Sequence, residues 1–422
     1  MYLFDRLFKR MIRDGEMRVT DHRGTVHTYG KPSVTIAPAA FRLTDDASSR
    51  AIAITPVLGA AEAYMDGKLL LEQGDILDLL RLVTYNVRWD RDNPVRYRLW
   101  RQARVAGFVG QFNQERRARR NVAHHYDLSD RLYDLFLDVD RQYSCAYYTD
   151  PANSLDRAQG DKLAHIAAKL DLQPGQRVLD IGCGWGGMAL YLHRVAGVEV
   201  LGVTLSEEQL KVARARAAEA GVSGHVKFEL IDYRALTGQF DRIVSVGMFE
   251  HVGLPHYRQY FDQVHALLKP DGVALIHSIA RADGPGATDP FITKYIFPGG
   301  YSPALSQIVP NIERAWLWIT DIEVLRLHYA FTLHEWYART VAARAEIEAL
   351  YDARFWRMWT YYLAGAICAF ENDGHMNVQI QLTKRRDALP LTRDYMMAAA
   401  ARYREVGPST SPKPSPEGSG ER

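Results

Sequence analysis

The run Val178-Leu179-Asp180-Ile181-Gly182-Cys183-Gly184-Trp185-Gly186-Gly187 holds the most informative chemistry in this 422-residue chain. An apolar stretch that ends in Gly-x-Gly-x-Gly and opens a helical pattern reads as strand, loop and helix. Its glycines let backbone approach a bound ligand, because no Cβ intervenes. Dinucleotide-binding turns are built similarly, so the details decide. The spacing is GxGxG rather than GxGxxG, and Asp180 lies just ahead of the first glycine instead of about 20 residues beyond the loop. The next strand ends in Gly202-Val203-Thr204-Leu205-Ser206, without the acid that grips a dinucleotide ribose. These features favour S-adenosylmethionine over NAD as the cofactor.

Two further clusters have residue types suited to proton transfer. Phe249-Glu250-His251-Val252-Gly253 places a carboxylate beside an imidazole at a strand end, where the pair is either a catalytic couple or a solvated turn. His277, inside Ile276-His277-Ser278-Ile279, reads by itself as a core histidine. The cysteines Cys145, Cys183 and Cys368 are three in number and far apart, which excludes a disulfide framework and points to a reducing, cytoplasmic compartment. None has zinc-type spacing, so no metal is expected. Cys368 lies in the apolar helical stretch Leu363–Phe370, a setting that raises a thiol pKa, and Cys183 sits inside the glycine loop. Both read as packing residues.

The elements that must position these groups follow from periodicity. Apolar runs at Arg177–Ile181, Glu199–Val203, Val226–Ile231, Arg242–Val246 and Val273–Ile279 alternate with helical patterns at Trp185–Val195, Ser206–Ala220 and His256–Leu268. That rhythm predicts βαβ units and hence an α/β fold with a doubly wound, mostly parallel sheet. The alternating run Val378–Leu382 predicts a further strand. Residues 1–110 read as a small α+β N-terminal domain, with strand-like Ser33–Ala37 and Ala51–Thr55 and a helix over Ile76–Thr84. Residues 111–170 read as a basic linker and helical cover, and residues 171–390 as the catalytic domain. Within it, residues 283–375 form an insertion dense in Trp and Tyr, a pattern of core residues that also suits the walls of an apolar pocket. The stretch 407–422 is proline-rich without apolar residues to bury, which predicts disorder.

A formal charge of +2 gives no reason to expect nucleic acid, yet it hides segregation. From Arg88 to Arg120 ten arginines face three acidic residues, so the rest of the chain is net acidic. With Trp89, Tyr97, Trp100, Phe108 and Phe112 interleaved, this segment suits an anionic lipid surface, or else a solvated linker paired with acids elsewhere. Near the start, Leu3, Phe4, Leu7, Phe8, Met11 and Ile12 form one apolar helical stripe opposite Arg6, Lys9, Arg10 and Arg13. Such a helix lies on a membrane or docks on its own domain. Its charges interrupt any signal peptide, and no stretch reaches the ~18 apolar residues of a spanning helix, so membrane contact is expected to be peripheral.

Together, Tyr143-Ser144-Cys145-Ala146-Tyr147-Tyr148, VLDIGCGWGG, GVTLSEEQ, Phe249–Gly253 and Ile276–Ile279 make the chain resemble the cyclopropane-fatty-acyl-phospholipid synthase family, which includes the mycolic acid cyclopropane synthases. These motifs span residues 111–385. GAAEAYMDGKLLLEQGD, at residues 59–75, is similar to the N-terminal region of the long phospholipid-acting members and is absent from the short mycolate-acting ones. The resemblance implies a methyltransferase fold and transfer of a methylene from S-adenosylmethionine to a cis double bond in a membrane phospholipid. It implies cofactor contacts at Tyr143, Ser144, Asp180, Gly182, Gly184, Thr204, Gln209, Tyr233 and Arg234.

The resemblance also implies a bicarbonate ion held at Cys145, Glu250, His277, Ile279 and Tyr329, as the base that deprotonates the carbocation left by methyl transfer. Cys368 matches a C-terminal family cysteine that is a candidate nucleophile, although the reaction needs no covalent enzyme intermediate. A homodimer at the inner face of the cell membrane is implied as well. One departure is Ser129, where many members have glycine. The same residues also suit a relative that makes methyl- or methylene-branched chains, or a lipid-binding protein with an inactive domain. The intact loop, Gln209 and Glu250 argue against the last.

Replacing Arg96, Arg98, Arg101 and Arg104 with Gln is expected to weaken binding to anionic liposomes, more so at low salt. Co-sedimentation that does not change would remove the basic segment from membrane contact.

Overall fold

The computed structural model describes residues 1–90 and 128–407. The arginine-rich segment beyond Asp90, with Tyr97, Trp100, Phe108 and Phe112, lies outside the described residues, as does the stretch after Gly407.

The N-terminal unit runs from helix Tyr2–Met11 through strands β1 (Gly15–Thr20), β2 (Val26–Lys31) and β3 (Ala39–Leu43) to helices Asp46–Ile54 and Pro56–Met65. Strand β4 (Leu69–Gln73) and helix Ile76–Asn86 complete it. The sheet order is β2-β1-β3-β4, with β1 and β3 parallel and the other pairs antiparallel. This is the expected α+β domain, with two local corrections. Ser33–Ala37 forms no strand, because Pro32 and Pro38 flank it and donate nothing to a ladder, and Val34 is fully exposed. Ala51–Thr55 is helical up to Ile54, because the Asp45 side chain caps the helix by accepting the Ser48 N–H at 2.7 Å and so starts the turn that carries these residues. Gly59 lets the next helix lie against this one, since a Cβ there would meet the Ala51 carbonyl at 2.6 Å.

The N-terminal helix docks its apolar stripe on its own domain. Phe4, Phe8 and Met11 are buried, with Phe4 and Phe8 ring centroids 4.3 Å apart and Tyr29 5.8 Å from Phe8. Tyr2 and Leu3 remain exposed.

The larger unit is built on seven strands: β5 (Arg177–Ile181), β6 (Glu199–Thr204), β7 (Val226–Leu230), β8 (Phe240–Val246), β9 (Leu268–Arg281), β10 (Trp318–Val324) and β11 (His375–Thr383). Their order is β10-β11-β9-β8-β5-β6-β7, parallel from β9 to β7, with β11 antiparallel to both β9 and β10. Parallel strands bury both faces, which is why they read as continuous apolar runs. Val178, Val200 and Val244 face one layer, while Leu179, Ile181 and Ile243 face the other. Helices Leu155–Lys169, Gly187–Ala196, Glu207–Glu219 and Asp394–Glu405 cover the first face, and Tyr257–Leu267 and Leu305–Arg314 the second. The strand β10 was not foreseen, because its exposed Trp318 and interior Thr320 and Asp321 break the apolar alternation.

Helices His328–Ala342 and Ala353–Asn372 join the two units in one core. At their contact Arg81 donates to Glu371 at 2.8 and 2.9 Å, the Tyr337 hydroxyl donates to Asp75 at 2.9 Å, and Asn372 Nδ2 donates to Thr84 at 3.0 Å. The three cysteines are free and buried. Among the described residues no helix is long and apolar enough to cross a membrane.

Phe8→Ala is expected to destabilise the N-terminal unit by about 3 kcal/mol, the cost of an aromatic-sized void, whereas exposed Arg10→Gln should change nothing. Denaturant unfolding checks both.

Candidate active site

Strand order reverses between β5 and β8, and a crevice opens beyond their carboxyl ends at that switch point. The glycine loop turns there. Gly182 and Gly184 have φ of +81° and +54°, in the left-handed region that glycine enters without strain. The Gly182 and Cys183 N–H groups donate to Val203 O at 2.9 and 3.1 Å, which ties the loop to β6. A Cβ on Gly182 would press on Met248 at 3.0 Å, while one on Gly184 would meet no protein atom within 4 Å.

All nine residues expected around a cofactor line one cavity here: Tyr143, Ser144, Asp180, Gly182, Gly184, Thr204, Gln209, Tyr233 and Arg234. The Thr204 hydroxyl donates to Gln209 Oε1 at 3.1 Å, and Arg234 makes a two-point contact with Asp232 at 2.9 and 2.6 Å. Asp180 Oδ2 is buried with no hydrogen-bond partner, and burial pushes its carboxyl up to about 7.

Residues 138–145 cross the cavity as an irregular strap, so side chains must hold it. Gln142 donates to both oxygens of Asp138, and Gln159 Nε2 donates to the carbonyls of Gln142 and Ser144 at 3.2 and 3.0 Å. Arg216 pairs with Asp140 and donates to Trp185 O at 3.1 Å. Arg141 grips Asp134 at 2.8 and 2.9 Å and Asp130 at 2.9 Å. Ser129 caps the helix Asp130–Phe136 that carries those acids, its hydroxyl oxygen accepting the Arg131 N–H at 3.2 Å. Tyr143 anchors the strap in the aromatic helices. Its ring lies 5.1 Å from Trp336 and 5.8 Å from Tyr133, and its hydroxyl is 2.8 Å from that of Tyr362. The Trp- and Tyr-rich segment is therefore both core and a wall of the strap.

A second group gathers toward the end of β9. Glu250 stands on the turn after β8, and its Oε1 accepts the Ile279 N–H at 2.6 Å. Its Oε2 is buried without a partner, and burial lifts the carboxyl to about 7. His277 precedes Ile279 by two residues, so both side chains share a face of β9. The Gln379 Nε2 on β11 lies 3.1 Å from His277 Nδ1, and burial holds the ring neutral by pushing its pKa down to about 3.

Cys145 and Tyr329 are connected through their chain neighbours. The Ala146 N–H donates at 3.0 Å to Thr332 Oγ1, one turn beyond Tyr329 on the same helix. That helix is anchored beside β9, because the Leu325 N–H donates to Asn377 O at 2.8 Å and Asn377 pairs with Ile279. Burial pushes the Cys145 thiol up. Cys368 stands apart. It faces Thr84 across the joint between the two units, does not line the cavity, and its thiol is pushed up to about 12.

Among the cavity-lining residues not named from sequence are Asp140, Arg141, Gln142, Lys162 and Asp232. Lys162 carried a usable signal, a charge among buried apolar residues in the middle of helix Leu155–Lys169. It is 2% exposed, and burial lowers its pKa to about 8. His251, marked in the sequence by its place beside Glu250, also lines the cavity, and burial pushes its pKa down to about 4.

The pattern of the mycolic acid cyclopropane synthetase family matches residues 113–380. The chain belongs to that family. It is 41% identical over 336 residues to the cyclopropane-fatty-acyl-phospholipid synthase of Escherichia coli K12, covering 79% of this chain and 85% of the relative. It is 34% identical over 401 residues to the tuberculostearic acid methyltransferase UfaA1 of Mycobacterium tuberculosis, covering 92% and 91%. Among solved structures, the mycolic acid cyclopropane synthase CmaA1 complexed with SAH and CTAB superposes with a TM-score of 0.59 at 32% identity, covering 63% of this chain and 97% of that one. The chain is thus an enzyme with the S-adenosylmethionine-dependent methyltransferase fold, and its relatives are named both for cyclopropane synthesis and for fatty acid methyl transfer.

Folding raises the Glu250 pKa from 4.5 to about 7, so between those values the native state binds more protons than the unfolded chain and stability falls as pH rises. Glu250→Gln keeps the acceptor for Ile279 and removes that penalty. Thermal melts should show the variant a few degrees more stable at pH 8 and close to the native protein at pH 4.

Proposed function

We propose that this enzyme transfers a methylene from S-adenosylmethionine to the cis double bond of an unsaturated acyl chain in a membrane phospholipid, giving a cyclopropane ring. The observation that carries this reading is the desolvated Glu250 carboxyl, with one oxygen on the Ile279 N–H and the other unpartnered among the described residues, on the turn after β8 whose neighbours Met248 and His251 line the cofactor cavity. The relatives named for cyclopropane synthesis support it.

The cavity fits the cofactor. Asp180 Oδ2 lacks a partner, Gly184 leaves open space, and Thr204, Gln209, Tyr233 and Arg234 supply polar and aromatic contacts. Bound there, S-adenosylmethionine supplies an electrophilic methyl on a sulfonium. The chain's own residues then have three tasks. Tyr143, Trp336 and neighbouring rings exclude water and present π-faces, each worth about 2 kcal/mol to a desolvated cation. Glu250 and neutral His277 handle protons in a dry setting. Cys145, Ile279 and Tyr329 complete a cradle suited to bicarbonate, which would supply a base there. Protonated Glu250 would donate from its unpartnered Oε2 to such an anion, and the unpartnered amide oxygens of Asn377 and Gln379 would accept from the bicarbonate hydroxyl or from a water. Cys368 takes no part in this reading and serves as packing at the joint of the two units. The enzyme would work as a homodimer, peripherally on the cytoplasmic face of an anionic membrane, whose charge the arginine excess of residues 88–120 would complement.

A second reading, methyl branching of the chain, is favoured by the likeness to the tuberculostearic acid methyltransferase. Mass spectrometry after incubating the protein with S-adenosylmethionine and vesicles of mono-unsaturated phospholipid separates the two. A gain of one CH2 with loss of ozone reactivity means a ring, the same gain with ozone reactivity retained means a branch, and no gain refutes both. Glu250→Gln should lower ring formation at least about 100-fold while leaving cofactor affinity unchanged.

A further inference from the structure

We propose that Lys162 and Ser144 together form a binding site for a carboxylate-type oxyanion within the cofactor cavity, supplied by the methionine end of the cofactor or by a small carbonate. The inference rests on the S-adenosylmethionine reading above and names the subsite that the reading leaves open.

The cations around this cavity are not equivalent. Arg141, Arg216 and Arg234 each have a carboxylate of their own, on Asp134, Asp140 and Asp232. Among the described residues Lys162 has none within ion-pair distance, and its one hydrogen bond there runs from Nζ to Ser144 Oγ at 2.7 Å. An ammonium has three donors, and a side chain only 2% exposed cannot give the other two to bulk water. The nearest acids are already committed. Asp138 accepts from Gln142 and from the Asp140 N–H, and Asp140 is taken by Arg216. A buried cation left in this state is costly unless a ligand completes it.

Ser144 points to the same ligand. Its oxygen accepts from Lys162, so its own proton is turned elsewhere, and none of the described residues takes it. Both residues line the cavity. An ammonium and a hydroxyl proton converging on one space make a charge-assisted pair suited to a planar oxyanion, and the ammonium favours an anion over water. Ser144 directly precedes Cys145, and the charge of Lys162 is also felt at Cys145 and at His277. A carboxylate there would orient the methyl-bearing end of the cofactor, and a carbonate would be held by its counter-charge.

Calorimetric titration of the full chain and of Lys162→Met, a substitution of matching length, tests this with S-adenosylhomocysteine, with 5′-methylthioadenosine, which lacks the carboxylate, and with bicarbonate added to the homocysteine complex. About tenfold or more weakening for S-adenosylhomocysteine with methylthioadenosine unchanged assigns the site to the cofactor's carboxylate. Unchanged nucleoside binding with loss of bicarbonate binding assigns it to the carbonate. Three unchanged affinities overturn the proposal, and so does equal weakening of both nucleosides, which marks a structural role. Failure of the native chain to bind either nucleoside would instead remove the cofactor reading. Lys162→Arg should recover part of the lost affinity, and Ser144→Ala provides the same comparison if the Met variant does not fold.

Discussion

The site depends on holding ionisable groups away from water. Asp180 and Glu250 are lifted to about 7, Lys162 is lowered to about 8 and His277 to about 3, in each case chiefly by burial. No isolated peptide segment would keep these groups desolvated, because each would find solvent. They remain dry only because stronger elements fix their backbones: β5, β8 and β9 in the sheet, and helix Leu155–Lys169 packed on its face. The scaffold stabilises through apolar burial, and the site spends part of that stabilisation on groups poised to exchange protons and bind charge.

The irregular strap over the cavity follows from the same constraint. Residues 138–145 have no ladder of their own, so Gln142, Gln159, Lys162 and Arg216 satisfy them side chain by side chain. Tyr143 then transmits the strap's position to the aromatic helices. Helix Ala353–Asn372 meets Tyr143 through Tyr362 on one side and the N-terminal helix Ile76–Asn86 through Glu371 and Asn372 on another. The N-terminal unit is therefore not an appendage but a support for the chamber wall. His334, 2.7 Å from Glu371, adds a third member to that joint.

Legibility along the chain tracked the range of the forces involved. Strand β5 and helix Glu207–Glu219 were readable to within a residue or two, because parallel strands are apolar on both faces and helices show one stripe. Of the nine cavity residues, Asp180, Gly182 and Gly184 were readable from the spacing of one turn after one strand, whereas Tyr143, Ser144, Thr204, Gln209, Tyr233 and Arg234 were named only through the family resemblance. The strand-like runs in the N-terminal unit misled. Ser33–Ala37 is apolar by type but proline-flanked, and Ala51–Thr55 belongs to a helix whose start signal, Asp45, lies six residues upstream. Strand β10 hid because its place at the sheet edge leaves it half-exposed.

The sequence by itself determined the order of strands and helices, the glycine turn and the family likeness, since each rests on local spacing and on the backbone freedom of particular residues. Only the tertiary structure decided which polar side chains are buried without a partner. The letters set Lys162 in a helical stretch with apolar neighbours, but they do not show that its ammonium is enclosed, or mark Glu250 Oε2 and Asp180 Oδ2 as orphans. Those properties arise when segments far apart in the chain close around a group and remove its solvent, and desolvation is a property of the enclosure rather than of the residue.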